Sequence, residues 1–153
     1  MLEKYKLMLS LQPDGKFPDC KEPFHSPSAV IDYCKAVLDI DRLAEEHLYV
    51  FGMNAKLNPI ALFEVSHGTT CASPFEAKGI FARLILSGAS GFICVHNHPS
   101  GDASPSRDDL MTRQKLEDAG KLLDLPIIDF VIIGRNNSYS YKSEKLKEKK
   151  NEE

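Results

Sequence analysis

The sequence holds no apolar run approaching the ~20 residues that a bilayer-spanning helix requires. Its opening, MLEKYKLMLSLQPDGK, is interrupted by charge before a signal-peptide core can form. A cytoplasmic location is therefore the expectation. An excess of one charge is also missing: 19 Lys and Arg against 22 Asp and Glu leave a net charge of −3. Such a balance gives no global field to draw the chain onto nucleic acid. Cysteine is sparse, and Cys20, Cys34, Cys71 and Cys94 stand far apart with no C-x-x-C pair. They read as reduced, buried thiols rather than a disulfide framework. No internal repeat is present, and a repeat architecture is not expected.

What the chain does contain is ordinary globular composition, 42% hydrophobic and 27% charged over 153 residues, enough for one domain with a real core. Residues 1–25 read as a loosely held arm. Ser26-Pro27 then opens a helix, with Ser as N-cap and Pro at the first helical position, and Val30, Cys34, Val37 and Leu38 form its buried stripe. His47–Met53 and Pro59–Ser66 read as strands joined by a turn at Asn54–Asn58. Ser73-Pro74-Phe75-Glu76 has capping-box spacing ahead of a helix whose inner face is Ile80, Phe81, Leu84 and Ile85. Gly91–Val95 is a continuous apolar strand covered on both faces. Ser106 begins another helix, which Gly120 closes. Pro126–Ile133 is a strand, and Ser138–Tyr141 a short last one. Residues 143–153, alternating Lys and Glu, read as a solvated, frayed tail. The class is α/β, a mixed sheet flanked by helices in three layers, with the hairpin forcing some antiparallel pairing.

The segment HNHPSGDASPSRDD carries the chemistry. In extended chain, residues i and i+2 share a face, so His96 and His98 point toward one spot, and imidazole is a common zinc ligand. H-x-H alone fits a surface pair equally well. A carboxylate downstream would complete a site; Asp102, Asp108 and Asp109 all qualify, and Asp109 also fits a capping box with Ser106. Upstream, Glu64 interrupts the apolar strand Ile60–Val65. Either it has a partner or a task inside, or β-edge placement turns it to solvent.

The full pattern resembles the JAB/MPN metalloprotease superfamily: a distant Glu followed by H-x-H-P, six residues, and S-x-x-D. Here that reads Glu64, then His96-Asn97-His98-Pro99, then Ser106 and Asp109. HNHPSGD, the PS ahead of the helix and the Glu64-x-x-x-Gly68-Thr69 stretch resemble the RadC branch most closely, over residues 26–142. The resemblance implies a cytidine-deaminase-like sandwich holding one zinc ion on His96, His98 and Asp109. It gives Glu64 the role of general base and Ser106 that of oxyanion donor, in a zinc-dependent metallopeptidase or isopeptidase. A protein or peptide substrate is the partner it implies; a homodimer is compatible with it, and no membrane is. A second reading from the same branch is a DNA-repair-associated factor or nuclease, with Arg107, Arg113 and Lys115 on the solvated side of the helix beside the site. A third is a scaffold without catalysis, which the complete ligand set opposes. Two departures stand out: Phe75 where RadC relatives carry Arg, and Asp129-Phe130 where they carry Asp-His. The chain is too short to include the N-terminal helical region of full-length relatives.

Overall fold

The computed structural model describes residues 12, 15, 18, 20, 23–68 and 76–151. Five strands form one sheet in the order β2-β1-β3-β4-β5. Strand β1 (His47–Met53) pairs antiparallel with both β2 (Pro59–His67) and β3 (Gly91–Asn97). Strand β4 (Ile127–Ile133) runs parallel to β3, and β5 (Ser138–Ser140) closes the far edge antiparallel to β4. The one parallel pair needs a crossover, which helix α3 (Arg107–Leu122) supplies.

Both faces of the central strands are covered. Helix α1 (Pro27–Leu38) lays Val30, Cys34 and Leu38 against Tyr49, Phe51, Ile93, Val95, Val131 and Ile133 on one face. On the other, Ile80, Phe81 and Leu84 of α2 (Ala77–Ser87) and Leu116 of α3 pack on Leu48, Val50, Phe92, Cys94, Phe130 and Ile132. The result is the three-layer α/β arrangement, and β3, buried at every residue, explains why Gly91–Val95 reads as continuously apolar.

Local chemistry sets the boundaries. Ser26 caps α1 with its Oγ accepting from the Ala29 amide at 3.3 Å, and Pro27 occupies the first turn. The β1–β2 turn is held by Asn54, whose Oδ1 accepts from the amides of Lys56 (2.9 Å) and Asn58 (3.0 Å). Of the Ser73–Glu76 capping box, residues 73–75 lie outside the described residues; α2 begins at Ala77 with Glu76 as its N-cap.

Three expectations need correction. Phe24, assigned to the arm, is buried between Tyr33 and Phe51 in edge-on ring contacts of 5.7 and 5.4 Å. Residues expected to fray form helix α4 (Tyr141–Asn151). Its anchor is Tyr141, whose ring lies under the Arg113 guanidinium at 3.7 Å, with Lys145 on the same ring at 4.7 Å. Finally, Gly120 does not end α3, which continues to Leu122. Gly120 is there because the Leu125 carbonyl passes where a Cβ would stand, and the Leu125 amide donates back to the Gly120 carbonyl at 2.9 Å.

Gly120→Ala should therefore destabilise the domain even though alanine is the better helix former by ~1 kcal/mol. The clash is with backbone and cannot be relieved by a rotamer, so a net loss of about 1–3 kcal/mol is expected. It is read as a lower urea midpoint at unchanged slope; an equal or higher midpoint would contradict this packing.

Candidate metal centre

Strand β3 runs two residues further than its apolar run, so His96 is a strand residue, paired with Leu48 of β1 and Ile132 of β4. That register turns the fully buried His96 ring toward the α2/α3 face. His98, two residues on, follows to the same side. It sits in a turn folded onto the end of β4: the His98 amide donates to the Ile133 carbonyl at 3.0 Å, and the Gly101 amide donates to the His98 carbonyl at 2.9 Å. Gly101 has φ +92°, and its carbonyl abuts Gly134 closer than a Cβ would permit, so both glycines are required for the loop to close.

Helix α3 brings the acid. Ser106 and Asp109 form a reciprocal capping box: Ser106 Oγ accepts from the Asp109 amide at 3.1 Å, and Asp109 Oδ2 accepts from the Ser106 amide at 2.7 Å. The same carboxylate faces both imidazoles, with Oδ1 3.3 Å from His96 Nε2 and Oδ2 3.3 Å from His98 Nε2. The alternatives fall away on geometry. Asp108 is exposed on the helix's first turn, and the Asp102 carboxylate accepts from the Ser104 amide and hydroxyl at 2.9 and 2.8 Å. Asp102 contributes through its backbone instead, its carbonyl accepting from His98 Nδ1 at 2.8 Å.

The residue expected as base is not in this group. A bulge between Leu48 and Tyr49 places Glu64 opposite Tyr49 rather than Val50, and with Tyr49 it belongs to the α1 side of the sheet. Its carboxylate pairs with His47 Nδ1 at 2.7 Å, and its side chain is 47% exposed. The sequence reading missed Glu46. It stands two residues before Leu48, on the His96 face, and its Oε1 lies 3.1 Å from His96 Nδ1. Glu46, His96, His98 and Asp109 each place a ligand-type atom within 4.8 Å of the others. The available signal was parity along β1, usable only once β1 is known to lie beside β3.

The donor set fits a cation. The Asp102 carbonyl can only accept, so His98 Nδ1 carries the hydrogen and Nε2 of the neutral ring turns a lone pair toward an anionic oxygen of Asp109. Something positive must lie between them, a proton or a metal. Zinc ligands at 2.0–2.1 Å in a tetrahedron stand about 3.4 Å from one another, close to the two 3.3 Å separations. His98 and Asp109 would each be oriented from behind, by the Asp102 carbonyl and the Ser106 amide, as metal ligands commonly are.

Phe130, where the RadC pattern has His, presents its ring edge-on to His96 at 5.5 Å between centroids and is buried. Phe75 lies outside the described residues, as does Cys71. Cys34 and Cys94 are buried, and burial lifts both thiols well above their ordinary range, which leaves them inert. Arg113, expected on the solvated side of α3, is buried on Tyr141 and paired with Glu117, while Arg107 and Lys115 are exposed. Among the described residues no helix is long and apolar enough to cross a membrane.

A mixed sheet whose third strand ends in H-x-H, facing an acid in the first turn of the next helix, defines a JAB-type domain. The chain belongs to the RadC-like JAB domain family, whose model matches residues 24–146. It is 34% identical over 123 residues to a UPF0758 protein of Thermotoga maritima, covering 80% of this chain and 54% of that protein. A UPF0758 protein of Alkaliphilus metalliredigens is 38% identical over 104 residues (68% and 45%), and one of Caldanaerobacter subterraneus subsp. tengcongensis 39% over 100 residues (65% and 43%). The chain thus spans about half the length of the curated relatives it matches.

The protonation of the site gives a pH dependence. The hydrogen bond to Asp109 raises the pKa of His98 above its ordinary 6.5, against the opposing effect of burial. Burial by itself would raise Asp109, but His98, the charge of His96 and the two Ser106 bonds outweigh it and bring the carboxyl down to about 2. Without metal, His98 therefore contributes stability below its ordinary 6.5 and loses it as pH rises through the raised value. Asp109 contributes above its ordinary 3.8 and loses that only as pH falls toward about 2. A metal ion held here would have to displace the His98 proton, so affinity for zinc should fall on acidification by up to about tenfold per pH unit. A competing chromophoric chelator at about pH 8 and pH 6 measures this; equal affinity at both would contradict the assignment.

Proposed function

We propose that the domain is a zinc-dependent hydrolase of amide bonds, a metallopeptidase or isopeptidase, in which His96, His98 and Asp109 hold one zinc ion and Glu46 is the general base. The observation that carries this reading is a second carboxylate, Glu46, at the edge of a two-histidine, one-aspartate pocket. Three protein ligands with room for solvent or substrate are the mark of a catalytic rather than a structural zinc site.

When bound, zinc supplies Lewis acidity, which brings the ionisation of water to near neutral pH and polarises a carbonyl. Glu46 then accepts the proton of the attacking water and later delivers it to the departing amine, a role typically worth about 10²–10⁴-fold. One Glu46 oxygen faces His96 Nδ1 at 3.1 Å, which orients the ring and keeps the carboxylate at the pocket. Ser106 Oγ accepts from the Asp109 amide, so its hydroxyl hydrogen can be given to the developing oxyanion. The substrate is a protein or peptide; the site recognises the scissile group rather than its surroundings.

The test is a mixed peptide digest, with lysine-linked isopeptides added, incubated with zinc-loaded protein and read for new termini by mass spectrometry. Glu46→Gln should keep its zinc and lose turnover by at least about 100-fold. Glu64→Gln should cleave within a few-fold of the parent. Turnover by Glu46→Gln at the parent rate would remove Glu46 as the base, and an equal loss in both variants would remove the distinction between the two acids.

A further inference from the structure

Between the two histidines lies Asn97, 1% exposed and pointing away from them. By the antiparallel register, which pairs Leu48 with His96, its partner across the ladder would be His47. The ladder does not continue there by backbone. The Asn97 side chain takes over, its Oδ1 accepting from the His47 amide at 2.8 Å and its Nδ2 donating to the Glu45 carbonyl at 2.9 Å. A carboxamide presents a donor nitrogen and an acceptor oxygen in one plane, as a peptide group does, and Asn97 uses one N–H and its Oδ1 as a final rung. The two groups it grips are the backbone on either side of Glu46.

We propose that Asn97 is a positioning residue for Glu46: by clamping the chain at residues 45 and 47, it fixes the direction in which the Glu46 carboxylate enters the His96–His98–Asp109 pocket. This rests on the reading of Glu46 as the base. Segment 45–47 sits at the very start of β1, where a strand end ordinarily frays. The contact with His96 Nδ1 holds the carboxylate end, the clamp holds the backbone end, and a base must be held to within fractions of an ångström to act. Asn97 touches neither ligand atoms nor reacting groups. It acts from the opposite side of the sheet, through the backbone. His98 and Asp109 have their own supports in the Asp102 carbonyl and the Ser106 cap, and His96 is fully buried, so loss of the clamp should spare the metal while it disturbs Glu46 and its contact with His96 Nδ1.

The test uses the full chain loaded with cobalt(II) in place of zinc, because the visible absorption of cobalt reports what surrounds the metal. Parent, Glu46→Gln, Asn97→Ala and Asn97→Asp are compared for metal content, cobalt spectrum and amide exchange at His47. All four should hold one cobalt per chain. The spectra of Asn97→Ala and Asn97→Asp should shift from the parent's in the direction that Glu46→Gln shifts it. Exchange of the His47 amide should accelerate by about tenfold in Asn97→Ala, the scale of one lost hydrogen bond. If Glu46→Gln shifts the spectrum and the Asn97 variants do not, the positioning role is wrong while the reading of Glu46 stands. A Glu46→Gln spectrum identical to the parent's would instead remove Glu46 from the metal's surroundings. Loss of metal by both Asn97 variants would make the residue a support of the ligands or the fold, which also overturns the proposal.

Discussion

The site depends on one carboxylate with two obligations. Asp109 completes the capping box that starts α3 through Oδ2, and its two oxygens face His96 Nε2 and His98 Nε2 at 3.3 Å each. A capping aspartate is among the best-immobilised acids in a protein, because its rotamer is fixed by a backbone hydrogen bond. Helix α3 thus delivers a preoriented anion to the end of β3, and the βαβ crossover that places α3 on the sheet also places the anion over the histidines. Two imidazoles and a carboxylate at these separations are unfavourable without a positive charge among them. A proton or a cation among them relieves this, and metal binding would replace the first with the second.

Around this centre, support comes from backbone rather than from further charged side chains. The Asp102 carbonyl orients His98, the Ser106 amide orients Asp109, and the Asn97 carboxamide grips the chain beside Glu46. Backbone groups are held by the ladder and the cap, so the precision of the site is inherited from the secondary structure. The three layers matter for the same reason. His96 is buried between the sheet and the α2/α3 layer, with the Phe130 ring edge beside it, and of the four pocket residues only His98 and Glu46 have side chains more than a tenth exposed.

Much of this was legible in the chain. Ser26-Pro27, the Asn54–Asn58 turn, the apolar run of β3 and the Ser106–Asp109 cap are local signals, and each element appears where its signal lies. The H-x-H spacing put both rings on one side because β3 extends through Asn97. What was not legible is what depends on partners distant in sequence. Glu64 looked like an acid in a buried strand, but β2 is the edge strand, and a one-residue bulge moves Glu64 to the other face, as any register slip must. Glu46 carries no local signal of its own; only the pairing of Leu48 with His96 reveals that it belongs to the pocket. The tail looked frayed because its anchor, a tyrosine under an arginine from α3, lies outside its own charge pattern.

Membership of the RadC-like JAB family places this chain among proteins whose length it matches over about half, and the candidate metal pocket lies wholly within the residues matched by the family. All of these roles presuppose that the two imidazoles and Asp109 bind a metal ion. The most direct measurement is elemental analysis of the purified protein beside a His96→Ala, His98→Ala double variant, with folding of both verified by circular dichroism. The account predicts one zinc per chain in the parent and none in the variant; equal metal content in the two proteins would contradict it.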